Sequence, residues 1–481
     1  MGVLKNCLII GASIEGTFSF TFRGHDNKMR VFQVLGGGVG ALILTAGAAF
    51  AQSFQQPVPA FPGNALGPSA VGPEGTTVME RARPDYDRPG VRMGSFIAKP
   101  TIGVNETYDS NIYATPSATS DFYTTLSPGI SLQSDWGRHA LAFNASGDFK
   151  WYSAHSSENT NNGSADVSGR YDISTGSYLV GDVGYALNHE DRSAPSRTAG
   201  APTIGNPKSP VQYSTTGGYV GYVRQEGRIG LNVDGTVTSY SYVNNSDILG
   251  NIVTETDRSR IEYVGSVKAS YELIPQQPYN VFIRGLGNTR KYNAVDSFQG
   301  LPAAQGGITP GQTARRNSTG WEVDVGGQVQ VTRLITAEVY AGYLEQNYDS
   351  ALYKSVSAPA FGGNLLWNIT PLTSIKASAS QSVAETDLTG ASSSTEDNLS
   401  LTVEHELLAN LIIVGSGGYV HDSYNGISRT DDTYGVDGGV RYLINRMWRA
   451  TGDLSYSSRS SNASGQNYDR IIATVGIQAG F

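Results

Sequence analysis

The sequence predicts an all-β fold: a transmembrane, antiparallel, up-and-down β-barrel of about eighteen strands, with sixteen as the alternative, preceded by a disordered Pro/Gly-rich segment. Three observations predict it. Apolar and polar residues alternate with a period of two from Gly94 to the carboxy terminus. The breaks between alternating runs come in two kinds, very short and long, in strict succession. The composition, with 58 Gly and 27 Tyr against 5 Met and 1 Cys, suits strands and turns. Only 16% of residues are charged, yet mean hydropathy is −0.25, which excludes a helical membrane protein.

The period carries most of the argument. In the last stretch Ile471, Ala473, Val475, Ile477, Ala479 and Phe481 fall on one face, and Arg470, Thr474, Gly476 and Gln478 on the other. Trp321, Val323, Val325, Val329 and Val331 alternate with Glu322, Asp324, Gln328 and Gln330. Ile261, Tyr263, Val267, Ala269 and Tyr271 alternate with Glu262, Ser266, Lys268 and Glu272. Strands with one greasy and one wet face fit a closed sheet with lipid outside and water inside. A basic side chain facing lipid at midplane costs roughly 2–4 kcal/mol, so a one-residue slip is strongly disfavoured. A soluble β-helix or large sandwich explains the alternation but not the succession of connections.

The short breaks are Asp135–Arg138, Ser174–Gly176, Gln225–Gly227, Ile274–Pro278, Thr332–Leu334, Thr370–Leu372, Leu408–Asn410 and Asn445–Met447. The long ones include Ser193–Pro210, Asn244–Thr256, Ala294–Thr313, Asp387–Thr395 and Ser458–Gln466. Strands threading a bilayer predict this, with short turns on the periplasmic side and longer loops outside. An even count returns both ends of the barrel to the short-turn side.

Ahead of the barrel, Met29-Arg30, the apolar run Val34–Gly47 and Ala49-Phe50-Ala51 read as a signal peptide over 29–51, with 1–28 an over-called extension. Residues 52–92 are a Pro/Gly-rich linker, or else a plug; 93–481 form the barrel. Cys7, the only cysteine, falls in the leader, so the mature chain has no disulfide or thiolate chemistry. The net charge of −8 gives no nucleic-acid footprint.

The wet faces supply the candidate pore-lining residues: Lys150, Asp166, Arg170, Asp234, Glu262, Lys268, Arg284, Glu322, Asp324, Lys376, Glu404, Asp437, Arg441, Arg449 and Asp453. Rings of charge select ions in a pore, and mixed signs with an acidic excess predict weak cation preference. Tyr108, Tyr113, Tyr123, Tyr152, Tyr240, Tyr242, Tyr343, Tyr348, Tyr424 and Tyr434 lie near strand ends, as an interfacial girdle requires; a sugar-stacking track would need inward rings instead. His189-Glu190-Asp191 and Asp431-Asp432 could offer oxygen ligands to a divalent cation, but solvated loops explain them far better. The histidines are scattered, and no nucleophile elbow, HExxH or P-loop occurs. No enzyme, cofactor or metal site is expected.

Two segments carry a family resemblance. Val91–Thr115, containing Ile102-Gly-Val-Asn-Glu-Thr-Tyr-Asp-Ser-Asn-Ile-Tyr113, and Ser120–His139, containing Ser127-Pro-Gly and Leu132-Gln-Ser-Asp-Trp-Gly-Arg138, resemble the opening of the putative beta-barrel porin 2 family of Gram-negative outer membranes. The resemblance extends over about Val91–Phe481. It implies an outer-membrane channel surrounded by lipid and lipopolysaccharide and passing small solutes or polysaccharide. Members of the family are often linked to exopolysaccharide secretion. Phe481 resembles the terminal aromatic that the barrel-assembly machinery reads in this class. The family defines no catalytic residues. The helical-repeat domain of some polysaccharide-export barrels is not found in this sequence.

Overall fold

The structure is a computed structural model. It describes residues 9–12, 18–23, 29–34, 77–194, 200–274, 279–297, 313–331, 334–388 and 390–481. The expected leader and most of the Pro/Gly-rich segment therefore lie outside the described residues. The exceptions are three short strands, Ile9–Ala12, Phe18–Arg23 and Met29–Val34, which pair with one another.

Apart from two short hairpins in the connections, Asn245–Ser246 with Ile252–Val253 and Asp296–Ser297 with Thr313–Ala314, the rest closes into one antiparallel barrel of eighteen strands. The first six are β1 (Phe96–Asp109), β2 (Asp121–Leu126, resuming at Gly129–Ser134), β3 (Ala140–Tyr152), β4 (Thr160–Ser174), β5 (Ser177–His189) and β6 (Gln212–Glu226). Then come β7 (Ile229–Tyr242), β8 (Arg260–Glu272), β9 (Tyr279–Tyr292), β10 (Ser318–Val331), β11 (Ile335–Tyr348) and β12 (Val356–Thr370). The last six are β13 (Thr373–Ala384), β14 (Ser393–Leu408), β15 (Leu411–Asn425), β16 (Thr430–Leu443), β17 (Trp448–Ser461) and β18 (Tyr468–Gly480). Each pairs with its sequence neighbour, and β18 pairs with β1 from Ile472↔Asp109 to Gly480↔Thr101. Among the described residues closure leaves no strand unpaired along its whole length, and the open edge is confined to a short seam between β12 and β13.

The two kinds of connection sit at opposite ends of the barrel. At the short-turn end, Thr175-Gly176 joins β4 to β5. Gly176 has φ +76°, and a Cβ there would stand 2.6 Å from the Gln225 carbonyl oxygen, so the turn requires glycine twice over. The succession weakens near the carboxy terminus. The 426–429 connection at the loop end has no more residues than the 444–447 turn opposite.

Two prolines mark the irregular rungs. Pro128 breaks β2, where Ser127 and Gly103 instead exchange both backbone hydrogen bonds, at 2.9 and 3.1 Å. Pro359 lies in the outer part of β12, beyond the last rung that β12 shares with β13, Gly362↔Ser380. Residues 356–361 pair only with β11, and 381–384 only with β14. A prolyl residue has no N–H for a ladder, and it tolerates this unpaired stretch. An inward apolar cluster of Leu344, Val356, Ala360 and Val383 fills the seam.

Alternation sorts the side chains. Trp321, Val323 and Val325 are exposed on the outer face, while Glu322 is half-buried and Asp324 fully buried on the inner one. Tyr263, Val267 and Tyr271 face out, opposite Glu262, Ser266 and Lys268. A few polar groups break the rule near the loop end and bond laterally. Glu106 accepts from Thr124 Oγ1 at 2.7 Å, and Asp432 takes Tyr419 OH at 2.7 Å and sits 2.9 Å from His421 Nδ1.

Val325 is 63% exposed at the middle of β10. Val325→Arg is expected to lower unfolding free energy in lipid by about 2–4 kcal/mol, read from denaturant titration of the refolded barrel. Its neighbour Gln328 on the inner face tolerates the same replacement with a much smaller loss.

Candidate functional site: a charged bore with two narrowed mouths

The inner face is polar on strand after strand, and its charges are largely paired. Arg284 on β9 bridges Asp324 and Glu322 on β10, at 2.6 and 3.0 Å. Lys268 on β8 reaches past two strands to Glu338 on β11 at 2.8 Å. Lys376 meets Glu404 at 2.6 Å, Arg441 meets Asp453 at 2.7 Å, and Glu262 accepts from Arg260 Nε at 2.6 Å. Arg170 bonds Asp172 and stacks on Tyr178 at 3.9 Å. Asp234 accepts from Ser266 Oγ and Asp166 from Asn144 Nδ2, at 2.8 and 2.9 Å. Lys150 lies 3.9 Å from Asp148, and Asp437 faces Ser416 across a rung. Arg449, half-buried near the short-turn end, completes the fifteen expected positions; all carry the parity of the inner face.

What sequence reasoning missed is how loops cross the bore. The connection after β5 folds inward. Its Asp191 pairs with Arg470 on β18 at 3.0 Å, and Arg470 also holds Asp109 on β1 at 2.7 Å. Ser193 O accepts from Arg459 on β17. Arg192 is buried against Glu158 at 2.8 Å and against Pro207 O at 2.9 Å. Glu190 turns the other way, to Arg258 in the connection after β7. Arg258 in turn lies 3.7 Å from Asp387 in the connection after β13, whose Glu385 pairs with Arg290 and Tyr292 on β9. Three loops thus meet in one ionic junction across the loop end. Burial works against the Arg258 charge, but Glu190, then Tyr242 and Asp387, outweigh it and hold its pKa well above the ordinary arginine value. Buried Asp247 ties the second loop to the first, accepting from Leu249 N, Asn251 N, Asn251 Nδ2 and Gly205 N at 2.9–3.1 Å.

The opposite mouth is crossed by residues 77–90. Val78 N–H donates to Ser374 Oγ on β13 and Met79 N–H to Glu404 on β14, both at 2.9 Å. Arg83 pairs with Glu406 at 2.7 Å, and Arg88 donates to Gln478 on β18. The segment therefore runs as a strap from β13–β14 to β18. Burial, then the nearby Arg449 guanidinium, pull the Arg88 pKa down to about 10, which leaves it charged at neutral pH.

The expected girdle of tyrosines needs correction. Tyr343 and Tyr434 face out, and Tyr108 packs on Phe122 on the outer face. Tyr240, Tyr242, Tyr348 and Tyr424 are buried on the inner face, and Tyr123 and Tyr152 pair there at 4.8 Å; Tyr113 is buried in a loop. The signal was present: Tyr240 and Tyr242 share the parity of Asp234. Guanidiniums cover several of these rings, Arg260 over Tyr240 at 4.1 Å, Arg258 over Tyr242 at 4.2 Å and Arg429 over Tyr424 at 4.7 Å. The two cation readings also dissolve. Asp431 points inward to Arg429 while Asp432 points outward, and His189, Glu190 and Asp191 go to three different partners. Among the described residues, no three His, Cys, Asp or Glu side chains form a metal-holding group.

Asp324 is fully buried and its partner Arg284 is 24% exposed at the side chain. Arg284→Ala strands that carboxylate, and unfolding free energy is expected to fall by about 3–5 kcal/mol. Adding Asp324→Leu recovers much of the loss in a double-mutant cycle on the refolded protein.

The family model described as putative beta-barrel porin 2 matches residues 83–481. No curated protein matches the chain. Among solved structures the chain is similar to OpdK of Pseudomonas aeruginosa, solved with vanillate, at 12% identity and TM-score 0.42, covering 80% of this chain and 99% of that one. It is also similar to a BenF-like porin of Pseudomonas fluorescens Pf-5, at 9% identity and TM-score 0.41, covering 80% and 99%. The ferric citrate transporter FecA matches at 13% identity and TM-score 0.40, covering 80% and 61%.

Proposed function

Because the chain belongs to the putative beta-barrel porin 2 family, and is thus a Gram-negative outer-membrane porin and a transport protein rather than an enzyme, we propose that it conducts small hydrophilic solutes through a bore narrowed at both ends. The observation that carries this reading is the ionic junction spanning the loop end, above an inner face that is polar around most of the ring. The alternative is a structural or surface-binding barrel whose lumen the loops or the Pro-rich segment occlude, and a rise in conductance on deleting 77–90 bears on it. A polar, charge-paired wall points to a path for water-soluble cargo.

In this reading the fifteen inner charges line the path. Their pairing makes selectivity weak, and the acidic excess tilts it towards cations. Lipopolysaccharide surrounds the loop-end rim. The barrel-assembly machinery reads Phe481, which is half-exposed and held by its N–H to Pro100 O at 3.2 Å.

Exopolysaccharide secretion, the role the family resemblance suggests, is the second reading, and the inward tyrosines favour it. Their faces are occupied by guanidiniums, so a sugar would have to displace Arg258 and Arg260, and a polymer would have to part the loop junction.

Single-channel recording in planar bilayers tests both readings. The wild-type protein should show small, stepwise conductance. Arg258→Ala, which removes the link between loops, should raise it several-fold, and deletion of 77–90 should raise it further. Folded protein that leaves the bilayer tight in all three forms would refute the channel. Exclusion of graded dextrans by the opened variants would exclude the polymer reading and leave the small-solute one intact.

A further inference from the structure

We propose that the inner wall of β13–β15 holds a hard divalent cation of the calcium class between Glu396 and Asp422. These residues stand directly opposite one another on β14 and β15. Opposed Cα atoms in an antiparallel pair are about 4.5–5.5 Å apart, close enough for two carboxylates to share one ion. Both residues are almost wholly removed from solvent, at 5% and 1% exposure. Neither oxygen of Asp422 has a hydrogen-bond partner among the described residues.

The surroundings supply more oxygen of the same kind. Asn398, the next inward residue on β14, donates its amide N–H to Glu396, which leaves its Oδ1 buried and without a partner. Ser382 on β13 faces Glu396 across the other rung, and its Oγ is likewise buried and unpartnered. Two carboxylates, an amide oxygen and a hydroxyl therefore gather at two adjacent rungs, with neither nitrogen nor sulfur among them. That donor set suits a hard cation taking six to eight oxygens at about 2.3–2.6 Å, the remainder from water. Two carboxylates carry the charge, and neutral oxygens complete the set.

Of the neighbouring arginines, one is committed to another carboxylate and one only in part to a loop carbonyl. Arg429 is committed to Asp431, the carboxylate opposite Asp422 on β16. Arg459 donates through Nη2 to Ser193 O and lies over Tyr468 at 5.0 Å, and its buried Nε and Nη1 make no hydrogen bond among the described residues, to Asp422 or to any other group. Stranding acceptors and a carboxylate away from water is costly, and an ion satisfies all of them at once. The place has structural sense. Ser382 lies on the stretch of β13 that has lost its β12 partner and that continues into Glu385 and Asp387 of the loop junction. An ion there ties this loose edge to β14 and β15.

Calorimetric titration of the folded full chain in detergent, stripped with chelator and dialysed, tests the site with CaCl2 alone. A saturable phase is expected at about 0.1–1 mM, with a calcium-dependent rise in the temperature at which the heat-modifiable band unfolds. Asp422→Asn and Glu396→Gln should each weaken this phase at least ~10-fold, whereas Asp432→Asn, on the outer face, leaves it unchanged. Ser382→Ala, the mildest change, should weaken binding less and serves if the carboxylate variants do not fold. Folded wild-type protein without a saturable phase would overturn the proposal. So would undiminished affinity in Asp422→Asn or, failing that variant, in Ser382→Ala.

Discussion

Every backbone donor and acceptor at membrane depth must find its partner within the sheet, because hydrocarbon offers none. That constraint explains why the ladder closes, why β1 and β18 pair over nine rungs from Thr101 to Asp109, and why the two departures occur where they do. Pro128 sits where Ser127 and Gly103 restore the lost bonds. Pro359 sits above the last shared rung of β12 and β13, near the loop end. Once the ladder is closed, side-chain parity is settled, and with it which groups meet lipid and which meet the bore.

The inner wall is then a second problem in satisfaction. A bore lined by charge is stable only if the charges are paired or wet, and this one pairs most of them. Arg284 holds two carboxylates, Lys268 reaches past two strands to Glu338, and Arg470 joins the first strand, the last strand and a loop. The same currency of Arg–carboxylate contacts draws the loops inward. The wall chemistry and the narrowing of the mouth are therefore one device. A variant that weakens the junction changes access to the bore without touching the ladder.

Much of this was legible in the residues. The period of two identifies strands and separates Trp321 and Val323 from Glu322 and Asp324 without any knowledge of partners, because strand geometry fixes it. Gly or Pro marks five of the eight short turns, and breaks in the alternation mark the other three; those within the described residues lie within a residue or two of the expected places. Strand length and number follow from those turns. Parity would also have put Tyr240, Tyr242 and Tyr348 inside; a reading based on nearness to strand ends put them at the lipid interface instead. The loop junction was not legible. Glu190, Asp191, Arg258 and Asp387 lie in aperiodic segments, and nothing local says which of several distant arginines each acid will find. The same holds for the strap, whose contacts at Ser374, Glu404 and Gln478 lie some three hundred to four hundred positions away.

The join between β1 and β18 constrains how the molecule is made. On one edge Thr101 pairs with Gly129 of β2, but on the other it pairs with Gly480 of β18, so the ring cannot shut until β18 has been made and has crossed the inner membrane. Until then each half-built sheet carries two open flanks ready to pair with any other extended chain. The polypeptide must therefore travel escorted and unfolded, and β18 is the clasp.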